Sequence, residues 1–362
     1  MNPPTGDRPR TTKLICTIGP ASAGCVGDLV RAGMDIARVN FSHGTDNERR
    51  AMFASIRAAA DEAGREVGIL ADLSGPKVRL REVPGDRMEL AEGSRLTLGE
   101  PDGAGEGDGG PCIATGHPGL AHDVRPGDTV FLADGAVELR VLHCDGAVVT
   151  EVVRGGTVRS RAGVNVPSSR LSLPAVTTRD EADLARAVEL GCDLVAQSFV
   201  RRADDVRRLR QCIGDLTPRI VAKIETRGAL EEFDGILANA DGVILARGDL
   251  GVELPFELVP LIQKDLIGRA RRAGVPGVVA TQLLLSMCSS PRPTRAEAND
   301  VANAVFDGAD GVLLSDETAV GRHPVGAAEA AVRILETADR WMGSPEAAPT
   351  DGPDRPTLRR LA

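Results

Sequence analysis

Tyrosine is absent from this chain, tryptophan occurs once, and aromatic residues make up only 2% of its 362 residues. The core must therefore be packed by Ala, Val, Leu and Ile, within a composition that is 42% hydrophobic. Neither a basic block nor basic residues interleaved with aromatics is present, which argues against nucleic acid as a partner. There is no CxxC pair, and the seven cysteines are odd in number. That combination predicts reduced thiols rather than a disulfide framework or a zinc site. No apolar run approaches the ~18 residues of a membrane span. The opening MNPPTGDRPR also lacks the apolar core of a secretory signal. Together these absences predict a soluble, cytoplasmic chain with no membrane partner. The charge balance is acidic, −9 from 43 basic and 52 acidic residues. An anionic substrate is still compatible with it if lysines, arginines and metal ions dominate a local pocket.

Eight short apolar, β-branched runs recur along the chain: KLICTI (13–18), DIARVN (35–40), GILAD (68–72), DLVAQS (193–198), RIVAKIE (219–225), GVILAR (242–247), GVVAT (277–281) and GVLLS (311–315). Helical patterns separate most of them, such as EADLARAVELG (181–191), DDVRRLRQCIG (204–214) and FELVPLIQKDLIGRARRAG (256–274). Several of these patterns end in a glycine, as helix C-termini do. Near-continuous apolar strands alternating with helices imply a parallel sheet covered by helices. Eight units predict an α/β fold of the closed (β/α)8 TIM-barrel type, with an open doubly wound sheet as the alternative. The length favours one large domain and a smaller one. The alternation breaks over residues ~80–165, where turn signals at PGDR (84–87), EGDGG (106–110) and RPGD (125–128) punctuate short strands. A small all-β lid (81–164) is thus expected after the third strand, between barrel segments 11–80 and 165–342. EPDGAGEGDGG (100–110) reads as a mobile loop and 343–362 as a disordered tail.

Nearly every apolar run ends in a polar residue: Asn40, Asp72, Ser198, Glu225, Arg247, Thr281, Ser315. In a barrel of this class, catalytic side chains sit at the carboxyl ends of the strands. The plainer explanation, that loops simply begin there, accounts less well for so dense a cluster of charge. In IVAKIE, Lys223 and Glu225 are two apart and share a face of a buried strand. ARGDLG places Asp249 just past the next strand. Two carboxylates at neighbouring strand ends suit Mg2+ or Mn2+, which take oxygen ligands together with phosphate and water. A lysine beside them would help neutralise a transferring phosphoryl group. The competing reading is a structural Lys–Glu pair closing the barrel. In IARVNFSHG, Arg38 and Asn40 share a face of the second strand. Arginine suits phosphate oxygens, while His43 could equally be a turn residue.

Taken together, KLICTIGPAS, GMDIARVNFSHG, ILADLSGPKVR, AGVNVPSSRLSLP, VAKIE, FDGILANADGVILARGDLGVELP and PRPTRAEANDVANAVFDGADGVLLSDETAVGRHP resemble the pyruvate kinase family over residues 11–340. The resemblance implies a (β/α)8 barrel, a β lid after strand three and a carboxy-terminal regulatory domain. It also implies phosphoryl transfer from phosphoenolpyruvate to ADP, then protonation of enolpyruvate to pyruvate. By the same resemblance, Glu225 and Asp249 hold the divalent metal, Lys223 stabilises the phosphoryl group and Arg38 holds the phosphate. Thr281 and the backbone of Gly248 and Asp249 hold the carboxylate. His43 and Arg79 face the nucleotide, and Ser315 and Glu317 lie near the protonation route. Asn40, Ser42 and Asp72 line the monovalent-cation position. There DLSGPK (72–77) matches the family pattern that goes without potassium, the Lys77 ammonium replacing the ion next to Asp72. A homo-oligomer through the barrel is expected as well.

The chain departs from the family at Leu285, in place of a glutamate, at Asp316 in LSDET, and at Ala162, in place of a lid lysine. It also stops near the end of the barrel, so the regulatory domain is expected to be missing. These departures leave two further readings beside a compact pyruvate kinase. One is a related phosphotransferase acting on another enol-phosphate or carboxylate substrate. The other is a non-catalytic phosphoenolpyruvate-binding protein.

Overall fold

A computed structural model describes residues 10–99, 110–167, 171–214 and 218–344 of the chain. The expected mobile loop, apart from Gly110, and the expected tail beyond Ser344 lie outside these residues.

All eight apolar runs form strands: β1 (Lys13–Ile18), β2 (Ile36–Asn40), β3 (Gly68–Asp72), β4 (Leu194–Val200), β5 (Arg219–Ile224), β6 (Gly242–Ala246), β7 (Gly277–Ala280) and β8 (Gly311–Leu314). They close into a barrel in the order β1-β8-β7-β6-β5-β4-β3-β2, with every pairing parallel. The closed parallel barrel is the predicted architecture, not the open sheet. Its strands are buried on both faces, so their runs are apolar without alternation.

Two apolar layers hold the barrel. Between strands and helices lie residues such as Leu14, Ala37, Val39, Ile69, Val195, Ala222, Val243 and Leu314, packed against Phe53, Leu184, Phe233, Ile267 and Leu335 of the helices. Inside the barrel, Ile15, Leu70, Ala196, Val221, Ile244, Ala280 and Leu313 form a second cluster, joined by Ile36, Leu194 and Val278. Two residues further along six of these strands, on the same inward face, stand Thr17, Arg38, Asp72, Ser198, Lys223 and Ser315. The strand period therefore turns an apolar floor into a polar mouth at the carboxyl ends.

Local chemistry sets the helices. Thr45/Glu48, Thr177/Asp180 and Thr294/Glu297 form reciprocal capping boxes at three helix starts, each N-cap contributing about 1 kcal/mol. Left-handed Gly33, Gly64 and Gly274 terminate three helices. The pattern at 256–274 resolves into a 3-10 turn, Phe256–Leu258, followed by a helix, Val259–Ala273. Pro260 sits in the first turn of that helix, where its missing N–H costs nothing. No helix is long and apolar enough to cross a membrane among the described residues.

Between β3 and β4 the chain builds mainly antiparallel strands with their own core, which includes Leu96, Val130, Leu139, Val141 and Val152. Strands Thr129–Leu132, Val137–His143 and Val148–Arg154 form a meander. Its first turn, Ala133–Asp134–Gly135, is left-handed at all three residues. A four-residue helix, Leu120–Asp123, interrupts the β structure; it is too short to give a periodic signal in the sequence.

Candidate active site

The mouth of the barrel carries a linked chain of charge. Arg38 donates from Nε to Asp72 Oδ2 at 2.7 Å and from a terminal nitrogen to Thr17 Oγ1 at 2.9 Å. Lys223 Nζ lies 3.4 Å from the same Asp72 oxygen, 2.9 Å from Glu225 Oε1, and donates to Ser198 Oγ at 2.9 Å. Ser198 Oγ in turn donates to Asp72 Oδ1 at 3.2 Å. Asp72 and Glu225 are each 1% exposed. Burial alone would push the Asp72 carboxyl up, but Lys223 and Arg38 outweigh it and hold the group below its ordinary value. Burial opposes the charged form of Lys223, yet Asp72 and Glu225 keep its affinity for the proton above normal. Glu225 is pushed up by burial, with repulsion from Asp249 adding to it. A buried carboxylate that repels its neighbour marks a place where a further cation is favourable.

Backbone strain gathers at the same rim. Phe199 adopts a left-handed φ of 56° within an irregularity between β4 and β5, and its N–H donates to Glu225 Oε2 at 2.7 Å. Thr281 is left-handed too, with φ 72°, a conformation that costs a β-branched residue on the order of 1–3 kcal/mol. Arg247 holds it there, donating to the Thr281 carbonyl at 2.7 Å while bound through both terminal nitrogens to Asp300 at 2.7 and 2.8 Å. The Gly248 amide donates to Thr281 Oγ1 at 2.7 Å. Gly75, φ 64°, has its Cα so close to β4 that a Cβ would stand 2.7 Å from the Ser198 carbonyl oxygen. Only glycine allows the loop carrying Lys77 to approach this closely.

A scan against family models matches residues 9–328 to "Pyruvate kinase, barrel domain". The chain belongs to the pyruvate kinase family. It is 43% identical over 341 residues to the pyruvate kinase of Bacillus licheniformis, covering 92% of this chain and 58% of that one. It is 46% identical over 324 residues to that of Geobacillus stearothermophilus, covering 87% and 55%. With the pyruvate kinase of Mycobacterium tuberculosis it shares 44% over 333 residues, covering 90% and 70%. The chain thus spans a little over half the length of the first two relatives.

Arg38, Asp72, Lys223 and Glu225 come together directly, joined by two hydroxyls, Thr17 and Ser198. Thr17 was not singled out in the sequence, and Ser198 only as a strand end; the signal for both is that each stands two residues beyond an inward apolar residue. Asn40 Oδ1 accepts from the Ser42 amide at 3.0 Å. His43 is exposed, its amide bonded to the Asn40 carbonyl. Arg79 is also exposed and donates to the Arg161 carbonyl at 3.1 Å. Glu317 is buried, and its two oxygens accept from the Leu284 amide at 3.0 Å and the Ser315 amide at 2.8 Å. It thereby ties together the loops after β7 and β8. Of the three departures, Leu285 is 42% exposed and Asp316 is exposed, while Ala162 packs on the inserted β core.

Lys77 stands apart from the position expected beside Asp72. Its Nζ is 2.8 Å from Asp249 Oδ1 and 3.5 Å from Asp134 Oδ1 of the inserted domain, and 5.5 Å from the centre of the Phe199 ring. Asp72 takes its cations from Arg38 and Lys223.

Glu225 and Asp249 fit a hard divalent cation: they are carboxylates just past adjacent strands, close enough that Asp249 disfavours the charged form of Glu225. Among the described residues no group of three or more His, Cys, Asp or Glu could hold a metal. An ion bound at this pair would complete its shell with substrate oxygens and water, as Mg2+ commonly does.

Proposed function

We propose that this chain transfers the phosphoryl group of phosphoenolpyruvate to ADP and protonates the resulting enolpyruvate, yielding ATP and pyruvate. The observation that carries this reading is Lys223. It is a partly buried ammonium, kept charged by Asp72 and Glu225 and facing the barrel mouth beside Arg38. An in-flight phosphoryl group spreads negative charge over its oxygens and needs fixed positive charge far more than it needs covalent chemistry.

Arg38, its Nε braced on Asp72, holds the phosphate. Thr281 and the Gly248–Asp249 backbone receive the carboxylate. Glu225 and Asp249 would hold Mg2+ or Mn2+, which supplies Lewis-acid neutralisation of the phosphate and enolate oxygens. His43 and Arg79, exposed at the rim, face the nucleotide. Glu317 acts by position, fixing the Ser315 and Leu284 amides near the enol carbon. Asn40, Ser42 and Asp72 form the monovalent-cation position; Arg38 and Lys223 neutralise Asp72, and Lys77 adds its charge from beside Asp249.

A coupled assay for pyruvate from phosphoenolpyruvate, ADP and Mg2+ tests the reaction. Turnover is the expected result. Binding of phosphoenolpyruvate without turnover would instead favour another enol-phosphate or carboxylate substrate, a reading supported by Leu285 and Asp316 on the product side, or a non-catalytic phosphoenolpyruvate-binding protein. Potassium gives a separate test. With a bulky tetraalkylammonium as the sole monovalent cation, added K+ should leave activity unchanged, because a lysine ammonium supplies the charge without a binding equilibrium. Lys77→Glu should slow the enzyme and create a dependence on K+. A large K+ activation of the unmodified protein would refute the assignment.

A further inference from the structure

Lys77 belongs to a loop of the barrel, yet its ammonium lies between two carboxylates from different parts of the molecule. One is Asp249, after β6. The other is Asp134, in the left-handed turn Ala133–Gly135 of the inserted domain. That turn leans on the barrel. A Cβ at Gly135 would be 3.7 Å from Val252, and Asn165 at the foot of the insert reaches Glu253 at 3.4 Å. The lysine stem is also packed: a Cβ at Gly163 would stand 3.1 Å from Lys77 Cε and 3.3 Å from Asp134 Oδ1. The Gly163 carbonyl accepts the Ala133 amide at 3.1 Å, so the turn, the lysine and residue 163 form one packed unit.

We propose that Lys77 is an exchangeable internal cation: it occupies the Asp249 carboxylate in the metal-free protein and, through Asp134, fastens the Ala133–Gly135 turn over the barrel mouth. The inference rests on the reading of Asp249 as a metal ligand. A divalent ion must take the Asp249 oxygen that the ammonium holds. Metal loading and release of the turn are then a single exchange. A tethered competitor lowers apparent affinity by the fraction of time it leaves the site free. The metal-free site is thus kept neutralised and covered, and the cover loosens when the ion arrives. The Phe199 ring remains near the displaced ammonium and gives it somewhere to go.

The test uses Mn2+ alone, without substrate. Its binding is read from the electron paramagnetic resonance signal of free Mn2+, and the turn from hydrogen exchange of the Ala133 and Ala136 amides, which are bonded to the Gly163 and Ala133 carbonyls. In the unmodified protein, Mn2+ should speed exchange at both amides. Lys77→Met should tighten Mn2+ binding by about tenfold, the factor expected if the ammonium covers Asp249 nine-tenths of the time. The same variant should show fast exchange before any metal is added and no further change afterwards. Asp249→Asn should free the turn in metal-free protein as well, an effect that a metal ligand with no other duty would not have. Exchange that is the same in all three metal-free proteins would overturn the latch. If Asp249→Asn still weakens Mn2+ binding in that case, the metal assignment stands without it. Mn2+ binding unaltered by Asp249→Asn would overturn the metal assignment itself.

Discussion

Lys223→Met is expected to abolish nearly all turnover, lowering kcat on the order of 10³-fold, the scale on which removal of one preorganised charge from a transition state is felt. The KM for phosphoenolpyruvate should change far less, because Arg38 and Thr281 are untouched and the charge of Lys223 matters most while the phosphoryl group is in transit. The measurement belongs at saturating Mg2+. Lys223 is what offsets the burial of Glu225, so its loss pushes that carboxyl further toward the neutral form unless a metal keeps it ionised. Burst or single-turnover kinetics would separate the chemical step from product release. A variant with unchanged kcat would remove Lys223 from the mechanism and leave it a structural ion pair, the competing reading of the IVAKIE stretch.

The barrel was legible because its strands are buried on both faces. Their runs are apolar throughout, and eight of them in alternation with helices leave few architectures open. The charged set was legible for a related reason: strand parity puts Arg38 on one face with Asn40 and Lys223 on one face with Glu225. What the sequence did not disclose are the partners. Thr17 and Ser198 join the charged groups through hydroxyls, and serine and threonine are too common at strand ends to stand out. The contact between Lys77 and Asp249 joins residues 172 apart in sequence. It depends on how a loop with Gly75 at its bend passes β4, and no periodicity encodes that path. The left-handed Thr281 was equally hidden, since threonine predicts the opposite conformation. Arg247 and Asp300 impose it from outside the segment.

Glu225→Gln is expected to cost both metal binding and turnover, and to separate function from stability when combined with the first variant. The amide keeps the volume of the carboxyl group and can still accept from the Phe199 N–H. What is lost is the charge, so Mn2+ affinity should fall sharply with one carboxylate remaining. The fold should suffer in each single variant. Lys223→Met leaves Glu225 buried without its ammonium, and Glu225→Gln leaves Lys223 with Asp72, 3.4 Å away, as its one carboxylate partner among the described residues. Breaking a buried pair by removing one member costs about 3–5 kcal/mol in well-enclosed cases, whereas removing both members can be nearly neutral. The double variant Lys223→Met/Glu225→Gln should therefore recover much of the stability lost in either single variant, giving a favourable coupling in denaturant unfolding. It should recover no activity. A pair whose purpose was only to close the barrel would lose nothing essential once its two charges were removed together. A fully active, stable double variant would sink the catalytic assignment of both residues, while a stable and inactive one is the outcome that this ammonium and its buried carboxylate, placed at the mouth of the barrel, lead us to expect.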